Sequence, residues 1–221
     1  TNHLSDSAIA RNRLLEIGSG VALGDVDGDG RVDVYFCRLE GDNVLYRNRG
    51  DWRFEDITAS AGVACPGQFS TGCVLADLDG DGDLDLLVNS LGGGTRVFLN
   101  DGKGHFTESK ESGLARNFGA TSMGLADVDG DGDLDLYVAN YRAESFLDDP
   151  TRVKISSARR PDGTEVIEPA DRFEGVLTRS GGVVVERGET DLFYINRGGA
   201  RFVPAPWNVG VFLDEDGVFV S

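Results

Sequence analysis

The chain has 221 residues, 40% of them hydrophobic, with 31 glycines and 38 acidic against 21 basic side chains for a net charge of −17. That charge excludes a nucleic-acid backbone or an anionic membrane surface as partner, and the apolar runs are too short to cross a bilayer. Such a composition suits many short strands and turns rather than long helices.

Fourteen of the 38 acids fall in three nine-residue windows. Carboxylates set so closely repel one another unless a cation sits among them. The chain opens Thr1-Asn2-His3-Leu4-Ser5-Asp6, with neither Met nor an apolar signal core, as expected of a piece of a longer protein.

The first window, Gly24-Asp25-Val26-Asp27-Gly28-Asp29-Gly30-Arg31-Val32-Asp33, is followed by Val44-Leu45-Tyr46-Arg47-Asn48, a glycine turn, and Phe54 six residues after the Asn. The same order returns with Asp77, Asp79, Asp81, Asp83 and Asp85, then Asn100 and Phe106. It returns again with Asp127, Asp129, Asp131, Asp133 and Asp135, then Asn196 and Phe202. Leading aspartates are 52 and then 50 residues apart, and Asn follows the leading Asp by 23 residues twice and by 69 in the third unit. Each unit reads as four strands: one ending at the leading Asp, one starting at the closing Asp, one ending at Asn, and one holding the Phe.

Four strands in about 50 residues predict one β-propeller blade. The fold class expected is therefore all-β, a partial propeller of about three four-stranded blades over 18–57, 70–109 and 120–205. The next loop would fall just beyond Ser221, and since propellers have about 4–8 blades, further blades are expected in the full-length protein. The 46 extra residues of the third unit place an insertion at about 141–189. There, Thr151–Ser156 and Thr164–Glu168 flank Pro161-Asp162-Gly163 and predict a β-hairpin. Its role is either a decorated loop or a partner contact. Cys65 and Cys73 flank a stretch able to bend back into a disulfide, or all three cysteines are small buried hydrophobes.

A loop written D-x-D-x-D-G-x-x-D supplies the hard oxygens that Ca²⁺ requires: carboxylates at positions 1, 3, 5 and 9 and a backbone carbonyl at 7. Position 7 is Arg31, Asp83 or Asp133, where only the carbonyl would bind. Glycine at position 6, as in Gly30, Gly82 and Gly132, permits the sharp turn. Three Ca²⁺ sites are expected, favoured over Mg²⁺ because the all-oxygen protein shell suits the larger ion. An EF-hand is excluded, since its Glu position holds Phe36, Val88 and Val138 in strand-like runs.

These units resemble the FG-GAP/VCBS repeat family, whose propeller blades in integrin alpha subunits bear similar calcium hairpins. The resemblance covers about 1–140 and 190–210, and Asp131-Gly132-Asp133-Leu134-Asp135-Leu136-Tyr137-Val138-Ala139-Asn140-Tyr141 is especially similar to bacterial members of the ASPIC/UnbV-associated type. It implies a secreted, periplasmic or cell-surface scaffold that binds calcium and a protein or glycan. His3 and His105 stand apart from any Ser or Cys arrangement, and no phosphate loop or nucleophile elbow occurs. An interaction module is therefore expected, the alternative being a secreted calcium-dependent polysaccharide lyase or hydrolase with its site in the channel or in further blades.

Overall fold

The computed structural model describes residues 4–115, 117–146 and 154–205; His3 and the Thr151–Val153 end of the expected hairpin lie outside them. The architecture is all-β, with three four-stranded antiparallel sheets. The first holds β1 (Val21–Gly24), β2 (Asp33–Phe36), β3 (Val44–Asn48) and β4 (Phe54–Asp56) in sequence order. The second repeats it with β5 (Ser70–Ala76), β6 (Asp85–Ser90), β7 (Gly94–Asn100) and β8 (Phe106–Glu108). The third begins with β9 (Ala120–Ala126) and β10 (Asp135–Asn140). It leaves the sheet for an excursion holding β11 (Ser156–Arg159), β12 (Glu165–Glu168), β13 (Leu177–Ser180) and β14 (Val183–Glu186), then returns as β15 (Leu192–Asn196) and β16 (Phe202–Pro204).

The sheets stack through period-2 side chains. All six residues of β6 are buried. Leu86 and Val88 pack with Ala22, Tyr35, Cys37 and Leu45 of the first sheet, while Leu87 faces the opposite way and packs with Leu136, Val138 and Tyr194 of the third. A central strand apolar on both faces is thereby explained, because each face meets a neighbouring sheet. The entry to β1 approaches β5 so closely that a Cβ on Gly20 would lie 2.8 Å from the Gly72 Cα.

A polar latch reinforces the stack. The side-chain amide of each repeat Asn donates to the carbonyl of the residue just before the closing Asp: Asn48 to Val32 (3.0 Å), Asn100 to Leu84 (3.1 Å), Asn196 to Leu134 (3.3 Å). Asn100 and Asn196 also donate across the sheet boundary, to the carbonyls of Val26 and Leu78, both at 2.8 Å. Losing a buried hydrogen bond of this kind costs about 1–3 kcal/mol. Asn100→Ala and Asn196→Ala are therefore expected to lower the urea midpoint clearly more than Asn48→Ala, whose amide makes the local bond. Equal effects at all three positions would show that the cross-sheet bonds carry no stability.

Helical turns at the N-terminus were not legible in the repeat pattern. The helix α1 (Asp6–Arg11) is capped by Ser5, which also bonds Glu40, and a 3₁₀ turn over Arg13–Ile17 follows. Ala8 and Leu15 pack on Leu39 and Leu91, and Asn12 donates to the Ala143 carbonyl at 2.7 Å. This segment thus bridges all three units at the end opposite the Asp loops. A short helix α2 (Thr58–Ala61) links the first two sheets.

The cysteines are free. Cys65 and Cys73 do not bridge: Cys65 Sγ lies 3.7 Å from the Tyr35 hydroxyl, and the Cys37 thiol faces Cys73 instead. The hydrogen bond from Cys73, then burial, push the Cys37 thiol far above the usual range.

The expected hairpin forms around Pro161-Asp162-Gly163, but its first strand is Ser156–Arg159, C-terminal to the expected start. A second hairpin, β13 with β14, turns at Gly181-Gly182, and a helical turn α3 (Ala170–Phe173) precedes it. Ile167, Phe173 and Leu177 close a small core with Phe146, Ile155, Val176 and Val184, apart from the sheet cores. Its roots are tied by Glu189, which accepts from Gly119 N (2.6 Å) and Ala143 N (3.0 Å), and by Asp191, which accepts from Asn140 N (2.7 Å). Replacing residues 145–187 by a short Gly-Ser turn, with Glu189 and Asp191 kept, should leave one cooperative thermal transition, since loop closure changes by only about 0.6 kcal/mol per doubling of length. Loss of cooperative unfolding would make the excursion part of the core.

Candidate metal centre

Each Asp window is the connection of a β-hairpin with the same register. Gly24 pairs with Asp33, Ala76 with Asp85 and Ala126 with Asp135. The chain between must reverse in a few residues, and the sixth-position glycines do so at φ of +83° (Gly30), +93° (Gly82) and +96° (Gly132), a conformation that L side chains rarely adopt.

The first aspartate organises the turn. Asp25 accepts from Asp29 N (3.1 Å) and Gly30 N (2.7 Å). Asp77 accepts from Gly80 N (2.8 Å) and Gly82 N (3.0 Å). Asp127 accepts from Gly130 N, Asp131 N and Gly132 N. Desolvation opposes the Asp25 carboxylate, but its backbone donors, led by Gly30 and Asp29, outweigh it and hold the pKa below the usual range. The aspartate at position 5 turns toward position 7: Asp29, Asp81 and Asp131 accept from the amides of Arg31, Asp83 and Asp133 at 2.9–3.0 Å.

The closing aspartate has a role that loop spacing did not reveal. Asp33, Asp85 and Asp135 are buried to within 1% of full burial. Each spans two backbone donors: Val26 N and Asn48 N at 3.1 and 2.7 Å for Asp33, Leu78 N and Asn100 N at 3.0 and 2.8 Å for Asp85, and Val128 N and Asn196 N both at 2.9 Å for Asp135. The closing acid thus pins its loop to the third strand of its own sheet. Burial pushes Asp33 up and Asp85 up to about 6, against those donors; the charges of Asp79 and Asp81 add to the rise at Asp85. Desolvation and then Asp81 likewise raise Asp79, and desolvation and then Asp131 raise Asp129.

Three carboxylates converge in each loop, with oxygens all within 4.8 Å of one another. They are Asp25, Asp27 and Asp29 in the first loop, Asp77, Asp79 and Asp85 in the second, and Asp127, Asp129 and Asp135 in the third. Asp33, Asp81 and Asp131 stand outside these triads, as do the side chains at position 7. Asp27 Oδ1 is buried with no hydrogen-bond partner. Hard, close-set, partly orphaned carboxylate oxygens are a donor set for a hard cation, since two ligands of one Ca²⁺ lie at most about 5 Å apart. One basic group reaches into this set unforeseen: Arg47 of β3 places Nε 2.7 Å from Asp27 Oδ2.

Tandem sheets, each opened by the same acidic hairpin, define a β-repeat protein. A known repeat family, the FG-GAP-like repeat, matches residues 25–88 and again 77–138, together more than half of the chain, which therefore belongs to that family. Cartilage acidic protein 1 of Homo sapiens is 38% identical over 82 residues, covering 37% of this chain and 12% of that protein. The proteins of that name from Xenopus tropicalis and Mus musculus are each 35% identical over 82 residues and 13% of their own length. The match thus spans about an eighth of these relatives.

Proposed function

We propose that this chain is an arc of a calcium-stabilised β-propeller that serves outside the cell as a scaffold for recognising a protein or glycan. The observation that carries this reading is the threefold recurrence of one hairpin with three carboxylates held within 4.8 Å. Asp25, Asp27, Asp29 and Asp33 would hold the first ion, with the Arg31 carbonyl. Asp77, Asp79, Asp81 and Asp85 with the Asp83 carbonyl would hold the second, and Asp127, Asp129, Asp131 and Asp135 with the Asp133 carbonyl the third. Bound Ca²⁺ supplies charge neutralisation; turn geometry and loop placement come from the chain's own hydrogen bonds.

The arc is supported by what each sheet covers. In the second sheet Leu86, Val88, Phe98 and Phe106 are buried against the first. In the first sheet Phe36 and Phe54, at the places of Val88 and Phe106, are exposed by 44 and 42%, and Val21 and Leu23 of β1, at the places of Cys73 and Leu75, by 53 and 64%. Val26 and Leu78 are each 1% exposed beneath the next unit, while their third counterpart, Val128, is 48% exposed. Apolar exposure at both ends of the stack supports a further blade on either side, with 18–57, 70–109 and 120–205 as the blade units. Among the described residues no helix is long and apolar enough to cross a membrane. The insertion, about 141–189, leaves from the end of β10 distant from the Asp loops, so a partner meeting it would not contact the ions.

Crystals grown in millimolar calcium should show one anomalous-scattering peak within each Asp loop, surrounded by oxygen ligands. Maps with no peak in any of the three would overturn the reading.

A further inference from the structure

The three loops carry the same four aspartates but differ in the basic groups around them. In the first, Arg47 Nε is 2.7 Å from Asp27 Oδ2, in a pair whose side chains are only 21% and 11% exposed. Arg31 is ion-paired with Asp29 in the same loop, and its Nε donates to the Asn48 carbonyl at 2.9 Å. Arg47 Nη2 is fixed further by the Lys103 carbonyl of the neighbouring unit, at 3.3 Å. Two guanidinium groups thus lie on two of the three carboxylates of the first triad.

The third loop has one such group, Arg197 Nη1, 3.5 Å from Asp129 Oδ2 in a more exposed pair. Among the described residues the ion pairs on the triad carboxylates are Arg31–Asp29, Arg47–Asp27 and Arg197–Asp129, and none falls on Asp77, Asp79 or Asp85 of the second loop. The first loop differs at two positions, the place of Arg47 being taken by Leu99 and Ile195 and that of Arg31 by Asp83 and Asp133, while the place of Arg197 is Asp101 in the second unit.

Resting on the calcium reading above, the geometry points to a graded set of cation sites, in which the second loop fills first, the third next, and the first last because Arg47 and Arg31 act as built-in counter-cations. A divalent ion entering the first loop must displace a guanidinium that is held on its far side and shielded from solvent, where screening is weaker than at an open surface. Asp27 Oδ1 stays buried and unpartnered, so the first site is weakened rather than abolished. The first unit keeps its hairpin neutralised at calcium concentrations that empty the other two.

The test is a calcium titration of the whole chain, with ions counted by native mass spectrometry and affinities read by calorimetry. Wild type should take up two ions at concentrations about tenfold below those needed for the third. The double variant R31D/R47L, which installs the residues that the second loop carries, should bring the third ion to within about threefold of the others. In the opposite direction D83R, at a loop position, should weaken uptake by the second loop about tenfold. Three ions entering together in wild type, or an unmoved third ion in R31D/R47L, would overturn the grading while leaving the calcium reading intact. Absence of any bound ion would fail both.

Discussion

Removing divalent cations with EDTA is expected to lower the melting temperature by on the order of 10–20 °C relative to about 10 mM calcium. A ligand that binds only the folded chain stabilises it by RT ln(1 + [L]/Kd), about 2 kcal/mol per site at fifty times Kd. Extracellular calcium modules bind at roughly 10⁻⁴–10⁻³ M, and for a chain of this size each kcal/mol moves the midpoint by about 2–4 °C. Three Ca²⁺ ions would neutralise six of the 17 net negative charges, those crowded within 4.8 Å. Magnesium should restore little, because it demands stricter octahedral geometry and gives up its waters reluctantly. The measurement is one set of melts in EDTA, Mg²⁺ and Ca²⁺ with metal analysis of each sample. Superimposable curves from metal-free and calcium-loaded protein would refute the scaffold role of the loops. Sites of such affinity would stand nearly empty in a cytosol and largely filled outside the cell.

Strands, sheet order and hairpin register were legible because three copies of one pattern constrain each other. A strand that ends at Asn48 carries little conviction alone; the same ending at Asn100 and Asn196 makes it a structural position. Where no copy exists the reading is incomplete: the turn at Pro161-Asp162-Gly163 was legible, but the elements around it were not. The excursion occurs once, so Gly181-Gly182 between Leu177–Ser180 and Val183–Glu186 went unread despite being a recognised hairpin signal. The N-terminal helix was hidden similarly: Ser5 and Asp6 are ordinary capping residues, but the helix is too short for periodicity to register.

The loops show a different limit. Their composition announces carboxylate ligands, yet it cannot separate an acid that waits for an ion from one already committed to the backbone. The signal was nonetheless present, since Asn follows the closing Asp by 15 residues in each of the first two units. That spacing reflects the bond from the Asn48 or Asn100 amide to the Asp33 or Asp85 carboxylate. Arg47 left no such trace. It lies 20 residues beyond Asp27 in sequence, and only the pairing of β2 with β3 brings it over the loop.

This division of labour predicts opposite behaviour for two acids of the same triad. Asp85→Ala should destabilise the chain with or without calcium, by about 2–5 kcal/mol, because it strands the buried amides of Leu78 and Asn100. Asp85→Asn should also be harmful, since an amide can offer only one acceptor where two donors converge. Asp79→Ala removes instead a carboxylate whose ionised form is disfavoured by desolvation and by Asp81. In EDTA it should leave the midpoint unchanged or slightly raised, and in calcium it should lose the contribution of the second site. The pH dependence carries the same signature. The Asp85 carboxyl is raised from 3.8 to about 6 in the folded chain, so in EDTA its contribution is fully present below about pH 4 and is lost as the pH rises through 6. Metal-free wild type should therefore lose stability across that window, and Asp85→Ala should flatten the loss while Asp79→Ala should retain most of it. Urea titrations of the three proteins in EDTA at pH 5 and pH 7 decide the matter: equal destabilisation by Asp79→Ala and Asp85→Ala at pH 7 would mean that the closing aspartate serves only as a ligand, and that its two backbone bonds hold nothing together.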